Sequence, residues 1–436
     1  MDWRTHYNSR LATPEEAVGH IKSGDRVIVG HACGEPGALL DAMAANAAAY
    51  RHVEIVHMVS MGTSPYCAEG MEEHFTHNSL FAGATTRKAV NEGRGDFTPA
   101  FFYKIPELLR TSLRPDVAMV QVSPPDEHGC CSLGVSVDYG KTAVQVATTV
   151  IAQVNRNMPR TLGESMVHAT DLDVIVELDT PVIELPKAAP GEVEMRIGEN
   201  CAGLIQDGDT LQLGIGAIPD AVLHFLGGKK DLGIHSEMFS DGVVELIEAG
   251  VVTNAKKKVH PGLCVASFLM GTRRLYDFVD DNPLVYLAGV EWVNHPLVIS
   301  QNDNVVAINS CVQVDLQGQV VSSSAGLRQI SGIGGQADFV RGASYSKGGR
   351  SIMAFPSLAK GGVSKIVAFA DAGSAVSQTR EDVDYVVTEH GVAALAGQTL
   401  RERARRLIAV AHPDVREGLQ EEYERRFGSL DAILGR

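Results

Sequence analysis

The stretch DTLQLGIGAIPDAVLHFL, residues 209–226, reads as a strand, a glycine turn and the start of a helix. Glycines let backbone amides come close to a ligand, and a helix N-terminus adds partial positive charge. The turn Leu213-Gly214-Ile215-Gly216-Ala217-Ile218-Pro219 therefore suits an oxyanion, a phosphate or a pyrophosphate. Three readings stand at this point. A dinucleotide site needs GxGxxG or GxGxxA and an acidic residue about 20 positions on. Glu237 lies 23 positions after Gly214, but Pro219 stands where the third small residue should be. An amide cradle for an acyl-CoA, with Glu237 as nucleophile, fits equally well. A glycine turn with no ligand is the third.

Working outward, the same strand–turn–helix alternation fills the chain, which predicts an α/β protein. Toward the N-terminus, Thr13-Pro14-Glu15-Glu16 is a helix start with Thr13 as cap and Glu16 reaching back. DRVIVG (25–30) is a strand and GALLDAMAANAAA (37–49) a helix. VEIVHMVS (53–60), VAMVQV (117–122) and LDVIVEL (172–178) are unbroken apolar runs, as in strands of a parallel sheet covered on both faces. Toward the C-terminus, DLGIHSE (231–237) is a strand and DGVVELIEAG (241–250) a helix. VVAINSCVQVDLQGQVVSS (305–323) reads as two strands turning at Gln317-Gly318. SIMAFPS, KIVAFA and DYVVTEHG add strands, and helices are expected over 399–411 and 414–427. Two prolines and a charge shift in VIELPKAAPGEVE (182–194) mark a linker. Domains over 1–188 and 189–436 are therefore expected.

Composition narrows the function. The chain has 436 residues, enough for two or three domains; 44% are apolar and 21% charged, which excludes a disordered or coiled-coil chain. The net charge of −15 disfavours nucleic acid and anionic membrane, though a local pocket can still take a small anion. Seven widely spaced cysteines without CxxC point to buried free thiols in a reducing compartment. No signal core and no apolar run of membrane-spanning length occur, so a cytoplasmic location is expected.

Other stretches carry possible chemistry. Glu237 sits in HSEMFSDG (235–242), where a strand end can present a carboxylate to the ligand crevice. It can equally cap the following helix. Ser331-Gly332-Ile333-Gly334-Gly335-Gln336-Ala337-Asp338-Phe339 can present an amide to an oxyanion, or be a flexible loop. Lys360-Gly361-Gly362 can offer a cation to a phosphate. Glu127-His128-Gly129 and Glu389-His390-Gly391 invite a metal, but neighbours on one segment rarely chelate together; turn residues are the plainer reading, and no metal is expected. GxSxG and GxxxxGK[ST] are absent, against an α/β-hydrolase and a P-loop NTPase.

Many long motifs together resemble the acetyl-CoA hydrolase/transferase family of class I CoA-transferases. They include AVNEGRGDFTP (89–99), DVAMVQVSPPDEHGCCSLGVSVD (116–138), VNRNMPRTLG (154–163), GIGAIPDAVL (214–223) and GIHSEMFSDG (233–242). NHP (294–296), INSCVQVDLQGQV (308–320), SGIGGQADFVRGA (331–343) and VVTEHGVAALAG (386–397) continue the series. The resemblance favours the amide cradle over the dinucleotide site. It implies two open α/β domains with mostly parallel sheets and the active site at their interface. Glu237 matches the family's catalytic glutamate, Gly335 the glycine whose N–H meets the thioester oxyanion, and Asn294 an asparagine near that carbonyl. Gly214, Ile215, Gly216, Ala217 and Ile218 match the loop along the acyl-CoA thioester; Gly334, Gly335 and Lys360 complete the expected CoA contacts. Cys311 and Ala372-Gly373-Ser374-Ala375 depart from the family pattern without touching the glutamate. The implied activity is reversible CoA transfer between a short-chain acyl-CoA (4-hydroxybutyryl, butyryl or acetyl) and a carboxylate such as acetate, through a glutamyl-CoA thioester. Coenzyme A is then a substrate and no tightly bound cofactor is expected. An acyl-CoA hydrolase and a non-catalytic acyl-CoA-binding protein are the alternatives. A homodimer or larger closed assembly is the expected state.

Overall fold

Apolar runs without polar alternation become the buried strands of two parallel sheets. A computed structural model describes residues 2–434. The first sheet has seven strands, in the order Gly95–Phe97, Phe75–Ser79, Val53–His57, Arg26–Val29, Val117–Val122, Thr149–Val154 and Val174–Glu177. All its pairings are parallel. Every residue of Val117–Val122 is buried, as a central strand covered on both faces requires. The second sheet has six strands, in the order Gly233–Ile234, Thr210–Leu213, Val305–Asn309, Arg350–Ala354, Tyr385–Thr388 and Gly391–Ala394. Only the last pairing is antiparallel. The stretch 178–191 between the sheets has neither helix nor strand.

Chain order reverses once in each sheet, beside Arg26–Val29 in the first and between Thr210–Leu213 and Val305–Asn309 in the second. Loops leaving strand C-termini diverge at such a point and open a crevice. Backbone hydrogen bonds also join the halves. Val137 and Asp138 donate to Ser267 O, and Leu269 donates to Val135 O. Glu164 donates to Leu287 O, and Leu287 to Leu162 O. One cluster of buried apolar side chains runs from Ile28 to Val387 across both sheets.

Several elements differ from the expectation in detail. The run 305–323 is three strands, not two. Val305–Asn309 enters the main sheet, while Gln313–Asp315 and Val320–Val321 form the antiparallel pair turning at Gln317-Gly318. Polar Ser310 sits at the break but is flanked by residues that extend a strand equally well. The strand expected over 231–237 is only Gly233–Ile234, and Glu237 precedes a second short strand, Met238–Phe239, paired with Phe268–Leu269. The last helix, Pro413–Leu434, runs past its expected end. The Thr13–Glu16 capping box forms as read. All seven cysteines are free; six are buried, and Cys130 is half-buried. Among the described residues no helix is long and apolar enough to cross a membrane.

Candidate active site

Glu237 is fixed by the segment that carries it. His235 N donates to Leu211 O, and Ser236 Oγ donates to Leu213 O, tying the segment to the strand Thr210–Leu213. Ser267 N and Phe268 N both donate to Glu237 O. The backbone is thus held from two sides, and the side chain enters a cavity of about 210 Å³.

That cavity lies where the second sheet's strand order reverses. Gln212, Leu213 and Gly214 line it from one strand end, and Asn309 and Ser310 from the neighbouring one. Gly332, Gly334 and Gly335 form its rim, and Phe81 reaches in from the first half of the chain. Gln212 and Asn309 close the floor as a reciprocal amide pair, with Asn309 Nδ2 donating to Gln212 Oε1 at 3.0 Å.

Three of the expected residues meet here. Asn294 Nδ2 donates to Glu237 Oε2 at 2.7 Å, and the Gly335 amide faces the same carboxylate and favours its ionised form. A Cβ on Gly335 would overlap Glu237 Oε2 and Asn294 Nδ2, so only glycine fits beside this carboxylate. Asn294 is fully buried at the C-terminus of the short helix Val290–Val293. His235 Nε2 donates to Val293 O at 2.8 Å, so one histidine ties the Glu237 segment to the Asn294 segment.

Burial raises the Glu237 pKa to about 7, against the Asn294 hydrogen bond, the nearby His31 and the Gly335 amide, which lower it. More of this carboxyl is therefore protonated near neutral pH than of an ordinary glutamate. His31 comes from the first sheet's reversal point. It pairs with Asp138 at 3.2 Å and packs edge-on against Phe268 at 4.6 Å.

The glycine turn divides. Gly214 lines the cavity with Glu237, whereas Ile215 and Gly216 line a smaller neighbouring one with Asp220 and Asp241. Ala217 and Ile218 begin the helix Ala217–His224 and line neither. Gly334 lines the Glu237 cavity with φ of +55°. Lys360 is not brought to the site. It is exposed on a turn closed by the Leu358–Ser364 bridge, with Gly361 and Gly362 in left-handed conformations. The two acid–His pairs stay apart from it: Glu127 and His128 are exposed, and Glu389 accepts from Ser357. A larger, open cavity of about 500 Å³ near Trp3, Tyr7 and Arg156 holds none of the expected residues. Sequence reasoning missed Phe81, His31, Asp138 and Asp338. Asp338 was in view within the glycine cluster, but an acid in a helix's first turn carries no signal beyond capping.

Comparison with known proteins covers nearly the whole chain. Residues 1–185 match the acetyl-CoA hydrolase/transferase N-terminal domain, and residues 271–423 the C-terminal domain. The chain is 58% identical to the 4-hydroxybutyrate coenzyme A transferase of Clostridium kluyveri over 98% of this chain and 100% of that protein. It superposes on the crystal structure of 4-hydroxybutyrate CoA-transferase from Porphyromonas gingivalis with a TM-score of 0.83 at 44% identity, covering 98% and 100% of the two chains. On RipA from Yersinia pestis the TM-score is 0.92 at 38% identity, covering 98% and 99%. With both domains matched in order and the fold shared end to end, this chain belongs to the acetyl-CoA hydrolase/transferase family.

Proposed function

We propose that this protein is a CoA-transferase that moves CoA reversibly between a short-chain acyl-CoA (4-hydroxybutyryl, butyryl or acetyl) and a carboxylate such as acetate. The observation that carries the reading is the meeting of Glu237, Asn294 Nδ2 and the Gly335 N–H in one cavity. The names of the relatives above support the substrate class. On this reading the cavity belongs to a cleft between units 1–188 and 189–436.

Glu237 attacks the thioester carbonyl through one carboxylate oxygen. The C–S bond breaks, giving an acyl-glutamyl anhydride and the CoA thiolate. The thiolate then attacks the glutamyl carbonyl, forming the glutamyl-CoA thioester and releasing the first carboxylate. An acceptor carboxylate reverses these steps, so atoms and charge balance without a proton donor. A carboxylate is a weak nucleophile, and binding energy from the long CoA arm must hold the reactants in place. In the resting site Asn294 Nδ2 already holds the nucleophile, and the Gly335 N–H faces it. As charge moves onto the thioester oxygen, the same fixed donors can follow it, which is how preorganised amides lower such barriers. Closure of the cleft would keep water from the anhydride.

The test is mass spectrometry after incubation with butyryl-CoA or 4-hydroxybutyryl-CoA and no acceptor. We expect a CoA adduct on the peptide holding Glu237, absent from Glu237→Ala and discharged by acetate. The variant should lose at least ~10³-fold in turnover. Steady CoA release into water without an adduct, indifferent to acetate, would instead mean a hydrolase. Saturable acyl-CoA binding without turnover would mean a binding protein.

A further inference from the structure

Asn294 stands between two carboxyl groups. Its Nδ2 donates to Glu237 Oε2 at 2.7 Å and to Asp338 Oδ2 at 3.3 Å, which uses both amide hydrogens. Asp338 Oδ2 also accepts the Tyr103 N–H at 3.1 Å. Two oxygens remain: Asn294 Oδ1 and Asp338 Oδ1 are both buried and both lack a partner. Each is bonded to the same carbon as an atom of the 3.3 Å contact. A buried polar atom left without a partner is costly. A carboxylate has no hydrogen to give to an amide oxygen, but a carboxylic acid has one. A single proton on Asp338 Oδ1 serves both orphaned atoms at once.

We propose that Asp338 is held as the neutral acid and closes a cyclic acid–amide pair with Asn294, which aims the remaining Asn294 N–H at Glu237. Its role in turnover rests on Glu237 being the nucleophile; its protonation does not. Asp338 is a positioning residue, acting through Asn294. Kept neutral, it fixes the amide without adding a second negative charge beside the carboxylate that must attack.

The charged groups around Asp338 allow this. Arg341, one turn along the same helix Gln336–Tyr345, is already paired with Asp382 at 3.2 Å. His295 packs on the Tyr103 ring, and its Nδ1 accepts the Leu297 N–H. Glu237 is the charge on the opposite side of Asn294, and His31 and Asp138 act on Glu237. The helix start favours an ionised Asp338, an effect small beside that of full burial. Asp338 is only 1% exposed, and burial first, then the Glu237 charge, push its carboxyl well above the usual range.

Infrared difference spectroscopy of wild type minus Asp338→Asn at neutral pH tests the protonation directly, because the Glu237 contribution cancels. We expect a protonated-carboxyl C=O band that shifts in D₂O. Kinetics test the positioning. Asp338→Leu, which can make neither bond of the pair, should lower kcat/KM by ~10²-fold, and Asp338→Asn, a neutral isostere, should recover most of that loss. The acid limb of the kcat/KM profile should stay in place in Asp338→Asn. A missing band, or an acid limb moved to lower pH because a negative neighbour was removed, would overturn the proposal. If the band is present but wild type forms no Glu237 adduct, the nucleophile reading fails and the protonation stands. If Leu fails to fold, the band and the Asn profile still decide.

Discussion

At the scale of single residues, the site is a balance between a buried carboxyl and the few donors that make it usable. Gly335 contributes by what it lacks. With a Cβ there, Glu237 and Asn294 have to move apart. Gly335→Ala should therefore cost ~10²–10³-fold in kcat, the usual price of displacing an oxyanion donor, and a modest 1–3 kcal/mol in stability. Kinetics with a parallel denaturation curve check both; a variant with unchanged kcat would remove Gly335 from the chemistry. Glu237 makes a pH prediction of determined sign. Its folded pKa of about 7 lies above the ordinary 4.5, so the folded state binds the proton more tightly. That contribution is complete below about pH 4.5 and is lost as pH rises through 7. Glu237→Gln cannot ionise, so it should be more stable than wild type at pH 8 and gain nothing near pH 4.5. The full shift corresponds to ~3 kcal/mol; because the carboxyl partly faces the cavity, ~1–2 kcal/mol is the expected gap in urea denaturation. Equal gaps at both pH values would show that burial does not govern this group.

At the scale of elements, the glycine rim is held by what precedes it. A small hairpin, Ser324–Ala325 with Arg328–Gln329, leads directly into 331–335. Asn91, at the end of the helix Arg87–Asn91, bonds both ways with Gln329: Nδ2 donates to its carbonyl at 2.8 Å, and its N–H donates to Asn91 Oδ1 at 2.9 Å. Gly332 packs so closely on Leu80 and Phe81 that a Cβ would not fit. The first half of the chain thus sets where Gly335 lies. Asn91→Ala removes three exposed hydrogen bonds, the two to Gln329 and one from Nδ2 to Arg87 O, each worth little at a solvated surface. It should leave global stability nearly intact, lower kcat/KM by ~3–10-fold, and speed amide exchange over 322–335. Unchanged exchange there would mean that the hairpin holds itself. This coupling had no trace in the sequence, because residues 91 and 329 are joined only by the fold. Strands and helices were legible wherever patterning was strong, as in Val117–Val122 and the Thr13 cap. The break at Ser310 within 305–323 was not, since the residues around it suit a strand on either side. Glu237, Asn294 and Gly335 were legible only as parts of long motifs; spacing alone left the glutamate a plain cap. Lys360 lies outside the Glu237 cavity, since a charge beside glycines says nothing about where a turn points. Asp338 was passed over because its meaning depends on which oxygens lack partners.

At the scale of the molecule, the reversal points of the two sheets are brought together. Gly30 and His31 leave the first sheet where its order turns, Gly214 and Ser310 leave the second where its order turns, and Glu237 stands near both sets. This is a consequence of the seam. On the side away from its partner strand, which starts beside Glu237, the segment 267–269 bonds to 135–138 of the first half: Leu269 N donates to Val135 O, and Ser267 O accepts from Val137 N and Asp138 N. Further along, Leu162 and Glu164 bond both backbone groups of Leu287. The residue between them, Gly163, has φ of +99°, and a Cβ on it would collide with the Leu287 backbone. Left-handed strain and overpacking then add, so Gly163→Ala should destabilise by ~2–4 kcal/mol. The informative part is how the loss is distributed. With one apolar core crossing both sheets, the seam is interior to a single cooperative unit, and the variant should unfold in one transition at a lower midpoint. Fluorescence from Trp3 in the first half and Trp292 in the second, followed separately in single-tryptophan proteins, should report the same midpoint before and after the substitution. If Gly163→Ala splits the two midpoints, the halves are independent folding units, and the geometry around Glu237 would then depend on docking rather than on a shared core.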